Sequence, residues 1–387
     1  MKKLSLITGA AALAIAGPAY AQSDAPIVVG SINALSGPVV YDDASKAAKA
    51  VFDAFNENGG HNGRMIEYLI MDDRTDPATS SSSARDAVDN QGAVAMVGSM
   101  SFLDCAVNGA YYIDKGIVAI PGLGADTFCY TNANIAPPNM GPYLASELTM
   151  QIATEELGLD KICAVVGVGG GAEAAYREGF AKWTERTGAD FEWIEFIPYS
   201  APDFTPYVIR AKEAGCETIY FNGPDELALS MMNAASAQDA AFSYLLFVPA
   251  YTEAFANASP SGHNGVYIVS EFAPYTDPTA EATADWYTLM QEKGVPITAF
   301  SQGGYLSATY FIEMLGRIDG EITRESVTQA FKTQTDPIEN PMVGAPYVFG
   351  DAEMHSPNRA GWLVKMAPGS SQWESVGENW SVLADEG

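Results

Sequence analysis

Strand-length apolar runs alternate with helix-spaced apolar positions over most of this chain, and that alternation predicts its architecture. Ile27-Val28-Val29-Gly30 reads as a strand, and Leu35-Ser36-Gly37-Pro38 as the loop that leaves its carboxyl end. Ala44, Ala47, Ala48, Val51, Phe52 and Phe55 then recur at helical spacing, which predicts a helix over 43–57 ended by Asn58-Gly59-Gly60. Further strands are expected over 65–71, 93–97 and 117–120, with a helix opening at Asp76-Pro77 and another over about 102–115. Ser80 to Ser83 reads as the solvated face of the first of these helices. A Pro121-Gly122-Leu123-Gly124 loop and an irregular stretch to Asn139 close this unit.

A second unit repeats the alternation: a helix over 142–157, strands over 162–166, 191–197, 218–221, 244–248 and 266–269, and helices between them, among them 172–187 and 226–238. Beyond Glu271 helices are expected over 279–293, 300–318 and 324–332, then short β-segments around Tyr347-Val348-Phe349, Gly361 to Met366, Trp373 and Trp380. Strands joined through helices make parallel sheets that bind ligands at their carboxyl ends. The expected fold is therefore α/β with two Rossmann-like lobes. If the helices after 271 return to the first unit, one lobe is 22–143 plus 272–358 and the other 144–271 plus 359–387. Crossings near 143, 271 and 359 would form a three-segment hinge with a ligand cleft between the lobes.

Composition places the chain outside the cytoplasm. Met1-Lys2-Lys3, the apolar run Leu4 to Gly17 and Ala19-Tyr20-Ala21 have the pattern of a cleavable export signal, so residues 1–21 are set apart from the fold. No later segment has about 18 consecutive apolar residues, and a soluble, exported mature chain is expected. There are 20 Lys and Arg against 48 Asp and Glu; without Lys2 and Lys3 the net charge moves from -28 to -30. Such acidity disfavours nucleic acid and anionic lipid as partners. Four cysteines in an exported chain suggest disulfides, with three pairings open. Cys105 with Cys129 and Cys163 with Cys216 is the favoured set. Cys163 opens the 162–166 run and Cys216 directly precedes the 218–221 run, so neighbouring parallel strands would bring those thiols to one sheet edge. Buried, reduced thiols are the alternative.

Catalytic patterns are sparse. Gly167-Val168-Gly169-Gly170-Gly171-Ala172 fits a dinucleotide loop, yet it begins the second unit of an exported chain, and a loop at a helix N-terminus facing the cleft is the better reading. His61, His263 and His355 are scattered, and there is no G-x-S-x-G elbow, HExxH or Cys-x-x-Cys. No enzyme activity, metal or cofactor is expected. Gly98-Ser99-Met100-Ser101 ends one strand and opens a helix, where amides and hydroxyls can hold a carboxylate; the same serines can equally cap their own helix.

Taken in order, Leu35-Ser36-Gly37-Pro38 with Tyr41, Asn58-Gly59-Gly60 to Gly63, Met71 to Pro77, and Asp203-Phe204-Thr205 resemble the leucine/isoleucine/valine-binding protein family, the type I periplasmic solute-binding proteins of ABC importers. The resemblance covers essentially the whole mature chain and is strongest up to about residue 125. It implies a type I periplasmic binding protein fold whose lobes close on an amino acid or related small carboxylate or amide and present it to membrane permease subunits, with the binding protein a monomer. Carried over by position, Ser99, Ser101 and the backbone of Gly122 and Gly124 would meet the ligand's carboxylate, and Tyr41, Phe102 and Phe300 its apolar part. The loops at Glu173 and Glu226, and Tyr251, would close from the second lobe, with Glu173 and Glu226 as ammonium candidates and Asp225 as a helix cap. Gly124 stands where amino-acid binders usually carry a hydroxyl residue, which leaves the ligand open. A sensor that presents its closed form to a membrane receptor is the alternative role.

Overall fold

The first apolar run forms β1 (Ile27–Asn33), nearly all of it buried, and the helix-spaced alanines and Phe52 form the buried face of α1 (Asp43–Glu57). In the computed structural model, residues 25–37, 40–168, 172–200, 203–355 and 358–383 are described; the expected export signal, Pro38 and Gly169 to Gly171 lie outside them. β2 (Ile66–Asp72), β3 (Ala95–Val97) and β4 (Val118–Ile120) complete a parallel sheet of order β2-β1-β3-β4, with α2 (Pro77–Arg85) and α3 (Asp104–Lys115) as crossovers.

The chain then passes through α4 (Pro142–Glu155) into a second sheet. It contains β5 (Ile162–Val168), β6 (Trp193–Pro198), β7 (Thr218–Asn222), β8 (Ser243–Leu246) and β9 (Val266–Ser270), all parallel. Helices α5 (Glu173–Thr187), α6 (Thr205–Glu213), α7 (Asp225–Ala237) and α8 (Glu253–Ala258) connect the five strands. After β9 come α9 (Ala284–Lys293), α10 (Ala299–Gly316) and α11 (Arg324–Lys332), which pack back on the first sheet. Thr298 donates to Asp43 at 2.9 Å, Ser307 to the Pro121 carbonyl at 2.9 Å and Thr328 to the Gly116 carbonyl at 2.6 Å. The tail then joins the second sheet: β10 (Ala360–Met366) pairs antiparallel with β9, β11 (Trp373–Ser375) and β12 (Ser381–Val382).

The chain is thus α/β, as expected, with a parallel first sheet and a second sheet whose five parallel strands are extended by antiparallel ones, and three passages link the two. Some details differ. Tyr347-Val348-Phe349 is not a strand; only a single bridge joins Ile338 to Tyr347, because beyond it the Gln334 side chain takes the backbone, its Nε2 donating to the Tyr347 carbonyl at 3.1 Å and its Oε1 accepting the Phe349 amide at 2.8 Å. Ser80 is fully buried and accepts from Asn108, and Ser83 donates to the Asp72 carbonyl, so half of the serine run faces protein rather than solvent. Both favoured disulfides are present, with Cα separations of 5.0 Å for Cys105–Cys129 and 5.8 Å for Cys163–Cys216. Among the described residues no helix is long and apolar enough to cross a membrane.

Candidate functional site

Parallel strands deliver their following loops to one edge, so Tyr41, the 98–103 loop and the 121–126 loop share the carboxyl edge of the first sheet. Tyr41 packs on Phe300 with ring centres 4.9 Å apart and on Phe102 at 5.8 Å. Phe300 comes from the first turn of α10, brought there because α10 crosses α1 at very close range. Opposite stands the carboxyl edge of the second sheet. Burial raises the Tyr41 hydroxyl well above its ordinary range, and the charges of Asp225 and Glu226, then Tyr199, add to the effect. The two edges therefore face one another, with Tyr41 as the meeting point.

Asp225 and Glu226 open α7, where the helix dipole favours negative charge. The N-cap is Pro224, so Asp225 is not the expected cap; it is the first helical residue. Burial, then the neighbouring Glu226 carboxyl, pushes Asp225 up to about 6. On the first-lobe side Asp126 accepts from the Phe128 amide at 2.7 Å, while its second oxygen is buried without a partner, and burial raises it to about 6. Tyr143 at the start of α4 adjoins Asp126 and Thr127 and packs on Tyr176 at 4.8 Å. Sequence reasoning overlooked Asp126, Tyr143 and Tyr199, although all three lie at strand or helix ends, the one signal that pointed to them.

The expected carboxylate anchors are engaged inside the protein. Ser101 donates to Asp73 and accepts the Leu103 and Asp104 amides, each at 3.0 Å, which is the capping role. Ser99 is buried and accepts the Ile32 amide at 3.1 Å, because the 98–101 loop runs on beside β1. The Gly122 amide donates to the Ser99 carbonyl at 2.8 Å, and the Gly124 amide to Asn139 Oδ1 at 2.8 Å. Both glycines are sterically required: a Cβ on Gly122 would lie 2.7 Å from that of Ala44, and one on Gly124 2.5 Å from the Tyr130 hydroxyl. The same logic explains Gly167, over which the Tyr199 ring and the Asn222 carbonyl pass at 2.6 and 2.7 Å from where a Cβ would stand.

Two other expected residues have partners of their own within the protein. Tyr251 has no exposed surface; it stacks on Tyr275 at 4.3 Å and meets Trp373 edge-on, so it belongs to the packing beneath the second sheet edge. Glu173 pairs with Arg177 one turn along α5 at 2.7 Å. Asp72 organises the opening loop: it accepts the Leu35, Ser36 and Arg74 amides at 2.9–3.2 Å and the Ser36 hydroxyl at 2.6 Å. Burial opposes ionisation there, but these donors outweigh it and hold the Asp72 carboxyl below its usual range.

Two α/β sheets with parallel strands at their centres, joined by three passages and facing each other across their carboxyl edges, define the class of type I periplasmic binding proteins. The chain belongs to the periplasmic binding protein family, whose sequence profile matches residues 26–371. It is 28% identical over 241 residues to the leucine-, isoleucine-, valine-, threonine-, and alanine-binding protein of Pseudomonas aeruginosa, a match spanning 59% of this chain and 62% of that relative. Its fold is similar to that of a branched-chain amino acid transporter substrate-binding protein of Streptococcus pneumoniae in complex with isoleucine (TM-score 0.74, 17% identity, 91% of this chain and 99% of the other). It is likewise similar to an R. palustris solute-binding protein in complex with 4-hydroxybenzoate (TM-score 0.76, 16% identity, 92% and 97% covered).

The site's carboxyls make stability depend on pH in a definite direction. Burial raises Asp104, Asp126 and Asp225 to about 6 and Glu271 to about 7. A carboxyl raised on folding contributes stability that is complete below its unfolded value, near ~4, and is lost as pH rises through the folded value. Asp72, Asp76, Asp203 and Asp277 are held low, so their contribution is present above the unfolded value and lost as pH falls through the folded one. The thermal midpoint is therefore expected to be higher at about pH 5 than at about pH 8 and to fall again below about pH 3.5, with relief of the excess negative charge acting in the same direction on the alkaline side. Calorimetry across that range checks it; a midpoint that climbs steadily to pH 8 would contradict the assignment.

Proposed function

We propose that this protein is the extracytoplasmic solute-binding component of an ABC importer, capturing an amino acid or a related small carboxylate or amide between two lobes and delivering it to membrane permease subunits. The lobes are 22–143 plus 272–358 and 144–271 plus 359–387, and the export signal precedes them. The observation that carries this reading is the Tyr41–Phe102–Phe300 ring cluster on one strand edge, with Asp225 and Glu226 acting on Tyr41 from the other. Rings on one side and carboxyls on the other suit a ligand with an apolar body and an ammonium group. Ser99, Ser101, Gly122 and Gly124 shape the first-lobe wall, Glu173 and Tyr251 support the second, and Glu226 with Asp225 takes the ammonium. The name of the Pseudomonas relative supports aliphatic amino acids, and the hydroxybenzoate complex keeps aromatic acids in the test panel.

Capture works by population shift. A ligand touching both edges binds the closed arrangement better than the open one, and the permease reads the closed shape. Calorimetry of refolded, ligand-free protein against aliphatic and aromatic amino acids, aromatic acids and amides is expected to show binding to one class. Tyr41→Ala is expected to weaken that binding at least ~10-fold, the equivalent of ~1.4 kcal/mol, while leaving the fold intact, since Tyr41 is only half-buried. Absence of heat and of any thermal shift across the whole panel would count decisively against the reading.

A further inference from the structure

The three passages between the sheets converge on one buried residue that no ligand-binding argument uses. Glu271 directly follows β9 and is 2% exposed. Its carboxylate accepts the Gly141 amide at 2.7 Å and the Asn139 side-chain amide at 3.2 Å, both from the first passage. Its carbonyl accepts from Asn358 at 2.8 Å, and Asn358 in turn accepts the Ala360 amide at 2.9 Å at the start of β10. One residue therefore touches all three connections.

The contact with Asn139 carries further. A carboxylate only accepts, so it forces the NH2 of Asn139 toward itself and the Oδ1 of Asn139 the other way. That oxygen accepts the Gly124 amide at 2.8 Å and the Tyr130 hydroxyl at 2.9 Å, and Nδ2 also donates to the Gly124 carbonyl at 3.2 Å. Both polar groups of the Gly124 backbone thus meet one amide whose orientation Glu271 dictates, and the Tyr130 hydroxyl also lies 3.0 Å from the Gly124 carbonyl. Gly124 belongs to the loop after β4 that forms part of the candidate cleft wall.

We propose that Glu271 is a positioning residue for ligand capture: seated where the three interlobe passages meet, it orients Asn139 and through it the Gly124 loop, so the hinge and the cleft wall are set together. The inference rests on the reading of the cleft as the ligand site, but its central contacts do not. Burial pushes the carboxyl up to about 7, against the stabilising Gly141, Asn139 and Met140 donors. The titratable group facing it is the Tyr130 hydroxyl, reached through Asn139, with Asp126 behind it; Asn358, Ser270 and Phe272 bring no charge. Protonation places a hydrogen on one oxygen and removes part of the acceptor capacity that holds the first passage.

Hydrogen exchange of the full mature chain, read by mass spectrometry and expressed as protection factors, tests this without a ligand. In Glu271→Gln, protection of a peptide covering Gly122 to Asp126 is expected to fall about tenfold, with β5 and β7 unchanged. In the native protein that protection is expected to fall between about pH 8 and pH 6, and in the variant to be flat. Asn139→Leu should produce the same loss, with no further loss in the double variant. Unchanged protection in Glu271→Gln, an equal loss across β5 and β7, or a pH profile shared by both proteins would overturn the proposal. Titration with L-leucine adds a separate arm: where the native protein binds it, Glu271→Gln should weaken binding about tenfold, and unchanged affinity would overturn the role in capture. Where leucine gives no heat in either protein, the exchange data decide, so a failure of the transport reading stays distinct from a failure of this one.

Discussion

Gly304→Ala is expected to destabilise the protein by about 3 kcal/mol or more, and Gly304→Val to leave no folded first lobe. A Cβ on Gly304 would lie 1.9 Å from the Ala44 carbonyl oxygen and 2.6–2.7 Å from other Ala44 backbone atoms. One residue earlier, a Cβ on Gly303 would lie 1.9 Å from the Gly122 carbonyl oxygen. In both cases the obstacle is backbone, which cannot rotate aside as a long side chain can. Helices α1 and α10 would have to separate, opening the contact that brings Phe300 to Tyr41 and Thr298 to Asp43. Urea denaturation measures the loss, and a Gly304→Ala variant with the native midpoint would show that the helices are less closely apposed than this. Such a variant should also bind ligand poorly at temperatures where it remains folded.

Removing the Cys163–Cys216 bridge, as Cys163→Ser with Cys216→Ser, is expected to cost about 4 kcal/mol. The bridge closes a segment of sequence separation 53, and the loop-entropy relation for a ring of that size gives a figure of this order. Cys163 is fully buried at the start of β5, where it pairs in register with Trp193 and Ile219, so the serine hydroxyl would also be left in an apolar setting. The Cys105–Cys129 bridge spans a separation of 24 and should be worth somewhat less, about 3.5 kcal/mol on the same relation. It ties α3 to the loop that carries Asp126, so its loss should act on the cleft wall more than on the second sheet. Comparing oxidised and reduced protein with the two double variants separates the bridges. Equal midpoints for reduced and oxidised protein would remove the case for both.

The parts of this molecule that depend on near neighbours were legible in the chain. Ala44, Ala47, Ala48 and Phe52 define the buried face of α1 by spacing alone, and the strand that carries Cys163 and the one that Cys216 precedes were placed closely enough to favour pairing the thiols. The ring cluster of Tyr41, Phe102 and Phe300 was named through the family resemblance, and the structure brings the three rings together.

Polar partners were not legible in the same way. Ser101 meets Asp73 across 28 residues, Ser99 meets Ile32 across 67, and Glu271 meets Asn139 across 132. Periodicity and turn chemistry say which face of an element is buried, whereas these bonds depend on which two elements cross, at what depth and in which register. Tyr251 shows the same limit: the family resemblance implied it as a contact from the second lobe, and only the docking of Trp373 from the tail and of Tyr275 decided that its ring would be enclosed. The sequence by itself determined two α/β units and their strand ends, and favoured the disulfide pairing that the structure carries. The tertiary structure alone decided which hydroxyls and amides were already spoken for, because a hydrogen bond is filled by whatever partner packing brings within about 3 Å.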